Sequence, residues 1–184
     1  RLAYSTVSQL SYIVLGAMLA SKAGLIGASM HIAMHAFAKI TLFFAAGAIF
    51  VASHKNRVSE LNGLGRAMPV TFAAFFIGTL SIIGLPPFGG MWSKWYLGLG
   101  AVETAQLLLL AVLMISSLLN IIYLLPIPIR AFFSKPDNGE HYTEIAEAPK
   151  SMLLAMLVTS TACVILFFYP DPFYRLAGLA AGGY

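Results

Sequence analysis

Ser29-Met30-His31-Ile32-Ala33-Met34-His35-Ala36-Phe37-Ala38-Lys39-Ile40-Thr41-Leu42-Phe43-Phe44 is the stretch on which the reading of this chain turns. Three ionisable side chains recur at i, i+4 and i+8 in a segment too apolar for a soluble helix, and no Asp or Glu adjoins them. Steps of four drift by about 40° around an α-helix, so His31, His35 and Lys39 share one face and extend over about 12 Å of its axis. An ionisable group at bilayer depth costs roughly 2.5–3.5 kcal/mol on insertion scales, which makes it a functional-site hypothesis by default.

The rest of the composition agrees with a membrane setting. Hydrophobic residues make up 59% of the 184 residues and charged ones 10%, with a mean hydropathy of +0.84, where soluble domains carry about 25% charged residues. The net charge of +4 therefore reports sidedness and not a nucleic-acid footprint, and no nucleic-acid partner is expected. The single cysteine, Cys163, lies in an apolar run and is assigned to packing. The chain opens at Arg1 without methionine or the features of a signal peptide, and is expected to be part of something longer.

A hydrocarbon core of about 30 Å needs roughly 20 apolar residues per helix, and five spans are expected, at about 2–20, 25–52, 67–100, 105–133 and 151–169. The fold class is all-α, a polytopic transmembrane helix bundle. The third span is anomalous, because an unbroken helix over 67–100 would be about 51 Å long. Leu85-Pro86-Pro87-Phe88-Gly89-Gly90 supplies an interruption: Pro86 and Pro87 lack an N–H, while Gly89 and Gly90 permit non-helical dihedrals. Backbone freed in this way within a membrane must be satisfied by protein or a wet cavity, so this discontinuous helix is expected to turn its break to the bundle interior.

Alternating the spans places Arg1, Lys55, Arg57, Arg66, Arg130, Lys135 and Lys150 on one side and only Lys22 and Arg175 on the other. The positive-inside rule makes the first side cytoplasmic. Only Lys39 and Lys94 of the eleven basic residues are left within the membrane. Residues 136–149, with Asp137, Glu140, Glu144 and Glu147, read as a solvated loop, and the aromatic tail from Tyr169 reads as interfacial.

A lone intramembrane histidine more often ties helices together, but two histidines and a lysine on one face favour a proton path, since imidazole accepts on one nitrogen and releases from the other. Gaps of about 6 Å between successive groups on that face require bound water. A zinc site is disfavoured, because His31 and His35 lack the glutamate of a zincin motif and Lys39 repels a cation; no metal is expected. Lys94, just past the break, is either a proton carrier, as a desolvated amine can be, or a snorkelling anchor beside Trp92 and Trp95. Ser8 and Tyr12 (with Ser5) on the first span, and Ser116, Asn120 and Tyr123 on the fourth, either line a hydrated path or serve as interhelical bonds of about 0.6 kcal/mol each.

Three ordered motifs carry a resemblance: Leu2-Ala3-Tyr4-Ser5-Thr6-Val7-Ser8-Gln9-Leu10-Ser11-Tyr12, His31…His35-Ala36-Phe37-Ala38-Lys39, and Gly84-Leu85-Pro86-Pro87-Phe88-Gly89-Gly90-Met91-Trp92-Ser93-Lys94. Together they resemble the antiporter-like subunits shared by respiratory complex I, membrane-bound hydrogenases and Mrp-type Na+/H+ antiporters, with wording nearest to the Mrp-type members. The resemblance implies a whole subunit of about fourteen helices built around two inverted five-helix units, of which residues 1–184 form the last five. It makes Lys94 the terminal protonatable lysine on the broken helix, His31 and His35 the connection towards it, and Lys39 the lysine of the histidine helix. The family's central basic residue falls at Arg1 or just upstream, and its glutamate–lysine pair is not in this chain. Lys94 stands where one complex I member has glutamate.

The function implied is proton translocation in a multi-subunit membrane complex, foremost monovalent cation (Na+)/H+ antiport, with a proton-pumping subunit of an NADH:quinone oxidoreductase or hydrogenase as the alternative. A structural subunit that conducts nothing, its lysines merely pinning helices, is the reading from another class. The expected partners are the lipid bilayer, other membrane subunits, protons and Na+; the expected location is the bacterial cytoplasmic membrane. No nicotinamide or flavin fingerprint and no cysteine cluster occurs, so no cofactor is expected and redox chemistry is assigned to partner subunits.

Overall fold

The structure is a computed structural model that describes residues 1–136 and 146–182; Asp137, Glu140 and Glu144 of the expected solvated loop lie outside the described residues. Every regular element described is helical: α1 (Leu2–Met18), α2 (Lys22–Ser53), two short 3-10 turns (Val58–Leu61 and Leu64–Arg66), α3 (Pro69–Ile83), α4 (Gly90–Glu103), α5 (Leu107–Leu124), α6 (Pro126–Phe133), α7 (Lys150–Phe168) and α8 (Asp171–Ala180). Three stretches are long and apolar enough to cross a membrane, namely Lys22–Ser53, Leu107–Phe133 and Lys150–Phe168.

Local chemistry sets the boundaries. α2 begins three residues before the expected start at 25, because Ser21 is extended and its Oγ accepts the Gly24 N–H at 3.0 Å, which satisfies one orphan donor of the first turn. The span expected over 105–133 is present as one apolar helical stretch, Leu107–Phe133; α5 and α6 meet at Leu125, which keeps α-helical dihedrals (φ −64, ψ −33), where Pro126 and Pro128 remove two backbone donors from the ladder. α3 starts on Pro69 and is capped from a distance: the Glu147 carboxylate accepts from Val70 N at 2.6 Å and from Thr71 Oγ1 at 2.6 Å. Glu147, read from sequence as loop, thus places a negative charge at a helix N-terminus, where the peptide dipoles favour it.

α2 is the central element, packed against α1, α3, α4, α7 and α8. Its contact with α4 is backbone to backbone. A Cβ on Gly27 would stand 2.6 Å from the Leu97 nitrogen, and one on Gly100 2.6 Å from the Gly24 nitrogen. Small residues permit this close approach, which is how apolar helices associate when lipid offers no hydrophobic penalty for separation. Below this contact a cluster from α2, α3, α5, α6 and α7 fills the interior, with Leu42, Phe72, Leu124 and Met156 fully buried. The opposite picture holds on the outer face of α5, where Leu108 is 75% and Ile122 68% exposed.

Residues 84–89 separate α3 from α4. Gly84 closes α3 in the left-handed region (φ +87), its N–H bonded to Leu80 O and Ser81 O, a conformation that costs glycine nothing. The segment does not turn wholly inward as expected: Leu85, Pro86 and Pro87 are exposed on the bundle surface, and only Phe88, Gly89 and Gly90 are buried. The reason is steric. The last turn of α3 crosses the first turn of α4 so closely that a Cβ on Gly90 would lie 1.9 Å from Ser81 O, so position 90 admits no side chain at this crossing.

Candidate functional site

The face of α2 singled out by its spacing is buried along its length: His31, His35 and Lys39 are 3%, 8% and 4% exposed. The imidazoles of His31 and His35 stack with centroids 5.8 Å apart. His31 Nδ1 lies 2.9 Å from Ser93 Oγ, and Ser93 Oγ donates to Gly90 O at 3.0 Å. The Ser93 bond to Gly90 O favours the tautomer of His31 that carries its hydrogen on Nδ1 and a lone pair on Nε2. The Nε2 atoms of both histidines are buried without a protein partner. A polar atom buried in this way calls for ordered water, as the spacing of the face already requires.

Lys94 projects from the first turns of α4 back over the break. Its Nζ donates to Ile83 O at 2.9 Å and to Ser117 Oγ at 3.1 Å, and sits 5.2 Å from the centroid of the Tyr12 ring. Ile83 is the last residue of α3, so the amine caps a helix C-terminus, where the summed peptide dipole amounts to about half a negative charge. The ring face adds a second, weaker attraction. Among the described residues no carboxylate pairs with Lys94 or Lys39; at Lys94 the carbonyl end of α3 takes the place of a counter-ion. The Lys94 stem needs Gly84 beneath it, since a Cβ there would meet Lys94 Cδ at 2.8 Å.

A second polar line runs between α1 and α5. Lys39 Nζ donates to Ser5 Oγ at 2.7 Å, and the Tyr123 hydroxyl lies 2.8 Å from the same oxygen and within hydrogen-bond reach of Asn120 Oδ1. Gln9 Nε2 donates to Asn120 Oδ1 at 3.2 Å; Asn120 Nδ2 reaches the Tyr12 hydroxyl at 3.4 Å; Tyr12 donates to Ser116 Oγ at 2.7 Å. Tyr12 also meets His31 edge-on at 5.5 Å. Hydroxyls and amides thus connect Lys39 to the Tyr12 ring beneath Lys94, and the stacked histidines lie beside that ring through the edge contact of His31. Ser8 lines a groove of about 510 Å³ between α1 and α5 with Ser5, Ser116, Asn120 and Tyr123, opening past Arg1.

Of the residues expected from sequence, His31, His35, Lys39, Lys94, Tyr12, Asn120 and Tyr123 come together; Ser116 joins them through Tyr12, and Ser8 stays on the groove wall. Gln9, Ser93 and Ser117 are further members. Gln9 carries a sequence signal, an uncharged amide in an apolar span. A lone serine such as Ser93 or Ser117 carries none. Among the described residues no group of His, Cys, Asp and Glu could hold a metal ion.

Apolar helices around an ionisable interior make this an integral membrane protein. The family described as NADH:quinone oxidoreductase/Mrp antiporter, TM, matches residues 1–120, and the chain belongs to it. Subunit N of the NADH-quinone oxidoreductase of Desulforudis audaxviator is 40% identical over 182 residues, covering 92% of this chain and 36% of the relative. Hydrogenase-4 component B of Escherichia coli is 31% identical over 186 residues, covering 90% of this chain and 28% of its own length. Among solved structures, the Mrp complex from Dietzia sp. DQ12-45-1b contains a chain that superposes with a TM-score of 0.85 at 26% identity, over 98% of this chain and 41% of that one. The chain thus spans well under half the length of these relatives, and its family is that of the antiporter-like membrane subunits.

Proposed function

We propose that this chain conducts protons through the membrane as the C-terminal part of an antiporter-like subunit, with Lys94 as the terminal carrier, His31 and His35 as water-bridged stations towards it, and Lys39 as the next ionisable site. The observation that carries the reading is the position of Lys94: a buried amine with no carboxylate partner among the described residues, held by the carbonyl end of α3 and the Ser117 hydroxyl. A lysine that only pinned two helices would gain from a paired charge. One held by dipoles alone can give up its proton without leaving a buried carboxylate unpaired.

In this reading α1, α2, the pair α3 and α4, α5 with α6, and α7 are five passes through the bilayer, α3 and α4 being the halves of one discontinuous transmembrane helix. The end bearing Arg1, Lys55, Arg66, Arg130 and Lys150 faces the cytoplasm of a bacterial cell. The broken helix serves the same end as in other transporters, placing a half-helix terminus beside an ion. The subunit works with other membrane subunits, and Na+/H+ antiport in an Mrp-type complex is the form of the activity that the sequence wording and the Dietzia superposition support. A proton-pumping role in an NADH:quinone oxidoreductase is the second reading, favoured by the 40% identity to a subunit N.

Proton flux in vesicles containing the whole complex tests the proposal. Lys94→Ala is expected to abolish flux while the complex still assembles, and Lys94→Arg to fail as well, since guanidinium does not release its proton in a protein. Near-normal flux through well-assembled Lys94→Ala complex would refute the role. Dependence of wild-type flux on a Na+ gradient separates the two forms of the activity.

A further inference from the structure

We propose that the line Lys39–Ser5–Tyr123–Asn120–Tyr12 is an orientation relay that makes the charge state of Lys39 felt at the ring beneath Lys94, with Ser5, Tyr123 and Asn120 as positioning residues. The inference rests on the proton-translocation reading and adds to it a coupling between the two buried lysines that bypasses the histidines.

Hydrogens are in short supply along this line. Tyr123 has one hydroxyl hydrogen and two acceptors in reach, Ser5 Oγ and Asn120 Oδ1. Ser5 likewise has one, and two neighbours, Lys39 Nζ and the Tyr123 oxygen. An ammonium only donates. When Lys39 is charged it occupies a lone pair of Ser5, the Ser5 hydrogen turns to the Tyr123 oxygen, and the Tyr123 hydrogen goes to Asn120 Oδ1. A neutral amine has a lone pair of its own. It takes the Ser5 hydrogen, Ser5 then accepts from Tyr123, and Asn120 Oδ1 is left with Gln9 Nε2 at 3.2 Å. No covalent bond forms or breaks between the two arrangements; two hydroxyl rotors turn.

Asn120 decides that the line transmits orientation and does not carry the proton itself, because an amide passes a hydrogen onward only through a high-energy tautomer. Its two ends are nevertheless coupled. Acceptance at Oδ1 polarises the amide and strengthens donation from Nδ2, which goes to Ser116 O at 2.9 Å and to the Tyr12 hydroxyl at 3.4 Å. That hydroxyl tunes the ring whose face holds Lys94 Nζ and whose edge meets His31. Among the described residues the other charged or titratable groups near this line include Arg1, whose guanidinium donates to the Tyr123 backbone O at 3.3 Å, Tyr4 on the wall of the same groove, His31 against the Tyr12 ring, and His35, one turn before Lys39. α3, packed on α2, has no titratable residue, and α7 has only Lys150 and Cys163.

The test compares Ser5→Ala, Ser5→Thr, Tyr123→Phe and the double variant Ser5→Ala/Tyr123→Phe, each in the whole complex, by proton flux per assembled complex and by assembled amount. Ser5→Ala and Tyr123→Phe are each expected to lower flux per complex about 5-fold, the lower end of ordinary couplings between sites. The double variant should fall no further, and Ser5→Thr, which keeps a hydroxyl, should restore flux. Wild-type flux per complex in both single variants would overturn the relay, as would losses that multiply in the double variant or a Ser5→Thr no better than Ser5→Ala. Lys94→Ala in the same assay keeps the two claims apart: normal flux there refutes translocation through this chain, whereas loss there beside normal flux in Ser5→Ala refutes the relay alone.

Discussion

The two seams that frame the polar interior, α2 against α4 and α1 against α5, are built in opposite ways. Against α4 the glycines bring backbones into contact, one turn from where His31 Nδ1 meets Ser93 Oγ at 2.9 Å. Between α1 and α5 the separation is bridged by side chains, Gln9 to Asn120, Tyr12 to Ser116 and Tyr123 to Ser5, beside an open groove. The glycine wall holds the imidazole rings at set distances, and the other wall is made of hydroxyls that can turn. The proposed proton path would draw on both.

The contrast predicts a ranking. Gly27→Leu on the rigid side should have the largest effect, because its Cβ falls 2.6 Å from a backbone nitrogen that cannot swing away; a loss of about 3 kcal/mol, the upper end of overpacking costs, should appear as failed assembly in detergent-extracted complex. Assembly at the wild-type level and thermal stability would break the distinction between the walls. Next come the histidines. His31→Ala and His35→Ala should each cut flux strongly, with the double variant little worse than the worse single one, since consecutive stations fail together; additive loss of assembled protein with unchanged flux per complex would instead mark two independent structural contacts. Ser116→Ala on the adaptable side should be mildest, about 0.6 kcal/mol in thermal unfolding, with the complex fully assembled.

Much of the site is legible in the sequence because it violates the composition around it. Charged and imidazole groups in an apolar run stand out in any sequence, and the i, i+4, i+8 spacing suffices to put His31, His35 and Lys39 on one buried face. The Pro-Pro and Gly-Gly pairs likewise announce a boundary between helices. What is not legible depends on contacts across long separations. Nothing near Glu147 in sequence says that its carboxylate caps α3, 76 residues away, and nothing near Lys94 says that its counter-charge is a carbonyl at Ile83, because backbone groups are the same in every residue. The exposure of Pro86 and Pro87 escapes a sequence reading for a related reason. The rule that freed backbone turns inward does not specify which half of the break does so, and the close crossing of α3 and α4 at Gly90, where a Cβ would meet Ser81 O at 1.9 Å, is not visible in sequence. The span over 105–133 is legible for the converse reason, since its strong hydropathy carries the helix through Pro126 and Pro128.

The glycine contact between α2 and α4 has one more consequence, and it concerns leakage. Where a methyl group would come within 2.6 Å of the opposing main chain, at both Gly27 and Gly100, no water molecule can pass either. The first of these points lies one turn from His31, so the imidazole pair is insulated along that seam from the end of the bundle where α2 begins. A carrier placed behind such a gasket can sustain a gradient between exchanges, and hydration admitted to the rings must enter from the side where hydroxyls, and not backbones, line the gap.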